Sequence, residues 1–133
     1  MISIGRRELA AIFIGGATGA LLRVWLDRHI GASAPDWPWA TFAINLSGAF
    51  ALGCLTARLR HGPLRLSWLQ ALLGPGLCST YTTFSTLQVE LLEMVEDHRL
   101  GLAVGYASAS VLAGLAAFTL ATTLTRRILV VSA

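Results

Sequence analysis

Apolar residues fill this chain in long runs, and charged residues are confined to the gaps between them. No Asp, Glu or Arg lies between Asp36 and Arg58, between Arg65 and Glu90, or between Arg99 and Arg126. Each interval is long enough for the ~20 residues that cross a bilayer. An earlier apolar run from Leu9 to about Leu26 holds one charge, Arg23. The pattern predicts four transmembrane helices, at about 8–29, 38–59, 67–96 and 100–125, with the third broken near 75–82. They occupy nearly the whole of residues 1–133 as a single membrane domain. The expected fold class is all-α, a four-helix transmembrane bundle, and any function lies within it.

The third segment departs most from a plain span. Gly74-Pro75-Gly76 sits where a helix should be continuous. Thr82-Thr83-Phe84-Ser85-Thr86 then puts hydroxyls where a lipid-facing helix carries leucine. Broken backbone at bilayer depth is tolerated only where it is buried in protein or lines a cavity. The stretch therefore points to a polar path or ion site at the midplane. Elsewhere the punctuation is ordinary. Ala32 to Trp39 reads as a short loop with Pro35 and Pro38, and Arg60-His61-Gly62-Pro63 reads as a turn. Trp37, Trp39 and Trp68 suit the interfacial belt.

Composition excludes a water-soluble domain: the chain is 55% hydrophobic and 13% charged, with a mean hydropathy of +0.67. The net charge of +3 does not indicate nucleic acid, because all ten basic residues are arginine and most sit at helix ends as topology signals. Arg6, Arg7, Arg58, Arg60, Arg65, Arg126 and Arg127 fall on one side of the predicted bundle, against Arg28 and Arg99 on the other. The positive-inside rule then predicts both termini in the cytoplasm of a cell inner (plasma) membrane. Arg6-Arg7 followed by an apolar run resembles an export signal. The charges Arg23, Asp27 and Arg28 before Ala32-Ser33-Ala34 argue against cleavage there. Cys54 and Cys78 lack metal or redox spacing and read as small packing residues.

Several residues carry candidate chemistry. Asn45 needs a partner in hydrocarbon, either an interhelical hydrogen bond or an anion facing its NH2. Tyr106, Ser110 and Gly114 recur at helical spacing on one face of the fourth segment. Thr82, Thr86 and Glu90 do the same in the third. Glu90 either reaches water near the helix end or faces inward as a functional carboxylate. Arg23 either snorkels to the headgroups or draws anions into a vestibule. Gly15, Gly16, Gly19, Gly48, Gly53, Gly101 and Gly105 suit close helix approach. No Ser-His-Asp set, metal-ligand cluster or phosphate loop is present, so an enzyme is not expected. Four helices can hardly enclose a pathway alone, so an oligomer is expected.

Three co-linear motifs carry a family resemblance. Gly16-Ala17-Thr18-Gly19-Ala20-Leu21-Leu22-Arg23 resembles a GGxxGAxxR signature. Thr41 to Gly48 resembles Thr…Asn-x-x-Gly, and Thr82-Thr83-Phe84-Ser85-Thr86 is similar to a TTFST core. Together they resemble the Fluc fluoride channels. The resemblance implies an antiparallel dimer of four-helix subunits giving passive fluoride efflux, which protects the cell from fluoride toxicity. It implies a structural, untransported sodium ion on the backbone carbonyls of Ser79 and Thr82. It places Asn45, Phe84, Thr83, Thr86, Glu90, Tyr106, Ser110 and Arg23 along the fluoride pathway. Fluoride holds water tightly, so its path must supply several donors. A phenyl ring can add its positive edge, and carbonyls at a broken helix suit sodium.

Three positions depart from the family pattern: Ser79-Thr80 replaces Gly-Gly, Leu87 replaces a second phenylalanine, and Gly114 replaces a hydroxyl. The arginine bias implies one fixed orientation. That favours a heterodimer with an oppositely oriented paralogue over a homodimer. A non-conducting partner subunit of such a heterodimer is one alternative. A small dual-topology multidrug exporter is another, but it needs a carboxylate within its first helix. This chain has only Asp27 there, near the end and beside Arg28.

Overall fold

The computed structural model describes residues 5–30, 37–61 and 67–131. Most of the expected loop at 32–39, the Gly62-Pro63 turn and Arg65 lie outside the described residues. The fold is all-helical. α1 (Arg6–Ile30) and α2 (Trp39–His61) precede a composite third rod, and α6 (Leu100–Val131) follows it. The rod comprises α3 (Ser67–Ala71), a π-helical stretch (Leu72–Cys78), α4 (Ser79–Tyr81) and α5 (Phe84–Glu96). By length and composition α1, α2 and α6 can each cross a membrane. Their outer faces carry side chains such as Phe13, Leu21, Val104 and Leu115, all exposed, as a lipid solvent permits.

The third rod bends in two ways. Proline has no N–H, and in an α-helix its ring crowds the carbonyl four residues back. Around Pro75 the chain widens into π-helical winding instead, and the Ser79 N–H donates to the Gly74 carbonyl five residues back. The winding is looser there but uninterrupted. The chain opens only beyond α4, where Thr82 (φ −74°, ψ 154°) and Thr83 (φ −140°, ψ 121°) are extended. Thr82 therefore does not share a helical face with Thr86 and Glu90, because the break shifts the register between them.

α2 packs along α6 and touches the π-helical stretch and α4 of the rod, while α5 packs on α6 directly. α2 runs parallel to α6, with Gly53 level with Phe118 and Ala121. α1 packs on the π-helical stretch backbone to backbone. A Cβ on Gly15 would collide with the Leu72 carbonyl, and one on Gly19 with the Leu77 carbonyl. The glycines of α6 differ: a Cβ at Gly101, Gly105 or Gly114 meets nothing within 4 Å. Their lack of side chain serves no contact within the described residues.

α5 and α6 are joined by Asp97, His98 and Arg99. His98 takes a left-handed conformation (φ 58°). The Arg99 N–H donates to the Met94 carbonyl (2.8 Å) and the His98 N–H to the Val95 carbonyl (3.0 Å), which is a Schellman closure. α6 continues past Arg126-Arg127 to Val131 rather than ending near 125. No glycine or proline follows the arginines to stop it.

Candidate functional site

The break opens two backbone groups at Thr83, and one side chain satisfies both. The Asn45 amide oxygen accepts from the Thr83 N–H (2.8 Å), and its NH2 donates to the Thr83 carbonyl (2.9 Å). This reciprocity fixes the amide orientation, since the flipped amide would set donor against donor. An amide NH2 has a second hydrogen, and the Thr83 pairing uses one. Asn45 thus acts as the interhelical tie that its residue type allowed, with donor capacity left over.

The hydroxyls of the TTFST stretch are mostly engaged locally. Thr83 caps α5, its hydroxyl accepting from the Thr86 N–H (3.2 Å) and lying 2.9 Å from the Thr86 hydroxyl. Thr82 donates through its hydroxyl (3.0 Å) and its N–H (3.2 Å) to the Cys78 carbonyl. Phe84, the first residue of α5, projects outward and is 70% exposed.

These groups border one open cavity of about 490 Å³ between α2 and the third rod, lined by Asn45, Ser79, Thr82, Thr83, Phe84 and Leu87 among others. Ser79 has ordinary helical angles (φ −67°, ψ −33°), so the glycine usual at this place is not needed for its conformation. Its neighbour Thr80 donates to the Gly16 carbonyl of α1 (2.9 Å), tying the rod to α1. Leu87 is buried with Met94, Ala103 and Tyr106. The leucine anchors α5 to α6 where a ring edge was expected.

Glu90 lies in a second cluster. The Thr41 hydroxyl of α2 donates to its Oε1 (2.5 Å) and the Tyr106 hydroxyl of α6 to its Oε2 (2.8 Å). Tyr106 is 0% exposed and Thr41 2%. Trp37 meets the Tyr106 ring nearly perpendicular, at 5.1 Å between centroids. One carboxylate therefore joins three elements. It faces inward, since a carboxylate at this depth requires such partners. Ser110 lies one turn along from Tyr106, with its Oγ buried and unpartnered among the described residues. Arg23 is half-buried on α1 and does not line the cavity.

The structure thus gathers Asn45, Thr83 and Phe84 with Ser79 and Thr82, and sets Glu90 with Tyr106 separately. Thr41 completes the Glu90 cluster; it entered the sequence reasoning only as the threonine of the Thr…Asn-x-x-Gly motif and was given no role, and Tyr81 and Ser47 were given none. The Tyr81 and Ser47 hydroxyls lie 2.8 Å apart. The available signal for Thr41 was its spacing of one helical turn before Asn45. Chemically, the arrangement offers donors and ring edges without any nucleophile–base pair. Among the described residues, no three His, Cys, Asp or Glu side chains come together.

Residues 10–122 match the family model described as CrcB-like protein, Camphor Resistance (CrcB). The chain is 49% identical over 122 residues to the fluoride-specific ion channel FluC 1 of Mycolicibacterium paratuberculosis, covering 92% of each. It is 48% identical to FluC 1 of Mycobacterium bovis over the same share of each chain. It is 40% identical to the fluoride-specific ion channel FluC of Gloeobacter violaceus, covering 84% of this chain and 90% of that one. A match across nearly all of the described helices, with the cavity residues inside it, places this membrane protein in the CrcB/FluC family of fluoride channels.

Proposed function

We propose that this chain is a subunit of a fluoride-selective channel through which the anion leaves the cell passively. Support comes from the convergence of Asn45, Thr83 and Phe84 on one cavity beside a backbone break, inside a chain whose relatives carry the fluoride-specific name. The second amide hydrogen of Asn45 and the edge of the Phe84 ring would meet fluoride. Thr83, Thr86 and Ser110 would continue the donor path, Tyr106 would lie on the same polar track with its hydroxyl held by Glu90, and Arg23 would attract anions to the mouth.

The donor set also fits a structural sodium ion. α4 ends at Tyr81, and the Thr83 N–H that would continue it goes to Asn45, so carbonyls of its last turn lack intrahelical partners. Ser79 and Thr82 border the cavity, and carbonyl oxygen is the ligand type a hard cation prefers. Bound there, sodium would supply positive charge that makes the interior less hostile to an anion. One chain offers few such oxygens, so an antiparallel second subunit would complete the shell. The excess of arginine at the end shared by both termini favours a partner of opposite orientation.

The test is fluoride against chloride efflux from liposomes, with this chain alone and with a co-encoded homologue. Selective fluoride efflux that Asn45→Asp and Phe84→Ile both abolish is the expected result. Rapid efflux from this chain alone overturns the need for a different partner. Complexes that conduct equally well with both variants make this chain a structural subunit only.

A further inference from the structure

A second cavity lies on the other side of α2, away from the break. It holds about 570 Å³ and runs along the seam with α6. Ala113, Ala116 and Ala117 form its floor, and Leu46, Phe50 and Leu120 its walls. Its one hydroxyl, on Ser47, donates to the Ala43 carbonyl (2.7 Å). The surface is therefore apolar and unable to order water. A groove of this kind at membrane depth suits an acyl chain.

The same helix faces lead to positive charge at one end. On α6, Arg127 is seven residues beyond Leu120 and shares its face. On α2, Arg58 is three turns beyond Ser47 and nearly aligned with it. Because α2 and α6 run parallel, both arginines reach the same level. Both are exposed, and neither pairs with an acidic side chain among the described residues. From Arg127 to Ala113 the helix rises ~21 Å. One leaflet of a ~30 Å hydrocarbon core plus its headgroup layer has about that depth. Beyond Arg127, Val130 and Val131 are 77% and 88% exposed. That aliphatic turn suits the boundary between headgroups and acyl chains better than open water.

We infer that the α2–α6 groove is a binding site for an anionic phospholipid of the leaflet at the Arg127 end, with one acyl chain in the alanine-floored groove and its phosphate between Arg58 and Arg127. The groove lies on the opposite face of α2 from the cavity at the break. Charge complementarity selects the occupant: a zwitterionic lipid gains less from two unpaired guanidinium groups than an anionic one.

Native mass spectrometry of the detergent-purified chain, titrated with phosphatidylglycerol or phosphatidylcholine of matched acyl chains, tests this. The wild type should retain phosphatidylglycerol preferentially. Arg127→Gln should reduce that preference about fivefold, the effect of one arginine near an anionic surface. Ala117→Leu should lower binding of both lipids by filling the groove. Arg7→Gln, at the same end but on α1, should change neither. Equal retention of the two lipids by the wild type overturns the proposal. So does unchanged preference in Arg127→Gln, or an equal loss in Arg7→Gln. Should Ala117→Leu fail to fold, the exposed Arg127 variant still decides.

Discussion

The third rod departs from α-helical geometry at two places, and the two are supported in opposite ways. Around Pro75 the chain keeps winding, because a π turn relieves the proline ring and Gly15 and Gly19 let α1 press backbone against backbone. At Thr82–Thr83 no glycine or proline forces anything, yet the chain is extended. There a side chain from another helix, Asn45, receives both backbone groups of Thr83. Distortion in the first place is absorbed by local winding. In the second it is held from outside. A helix inside a membrane can open only where something else takes over its hydrogen bonds.

Mutations separate these two supports, and the largest effect is expected at the external one. Asn45→Ala leaves a buried N–H and carbonyl unpaired, which should cost about 2–5 kcal/mol. Detergent unfolding followed by circular dichroism measures it, and fluoride efflux should be lost with it. Next comes Gly19→Ala, where the new methyl meets the Leu77 carbonyl. Overpacking against backbone should cost about 1–3 kcal/mol in the same assay. Thr83→Val removes the α5 cap while leaving the Asn45 pairing, and a loss of about 1 kcal/mol is expected. Pro75→Ala should be smallest, within about 1 kcal/mol of wild type. A Pro75→Ala effect exceeding that of Asn45→Ala would invert the comparison.

The spans were legible in the sequence because a bilayer imposes length and expels charge, and both requirements act on consecutive residues. That the third helix breaks was legible for the same reason, from hydroxyls in an apolar run. The residue at which it opens was not, since that depends on Asn45, which lies 38 positions away from Thr83. Likewise Glu90 gave no sign of which way it faced until Thr41 and Tyr106 converged on it from two other helices. Gly15 and Gly105 look alike in a sequence. Only packing shows that one admits a neighbouring backbone and the other adjoins open space. The end of α6 was misplaced because arginines mark a membrane boundary without ending a helix.

The parallel pairing of α2 with α6 has a consequence for how the chain is made. The Thr122 hydroxyl of α6 donates to the Gly53 carbonyl of α2 across 69 residues of sequence. At ribosomal speeds of about 5–20 residues per second, α2 would wait roughly 3–14 s for that partner to be synthesised. The polar residues of α2 wait less long, since Thr83 follows Asn45 by 38 residues and Glu90 follows Thr41 by 49. Assembly of this small bundle is therefore governed by its last-made helix. A truncation that removes α6 should leave Asn45 paired with Thr83, while Glu90 loses the Tyr106 hydroxyl and the Gly53 face of α2 loses its cover.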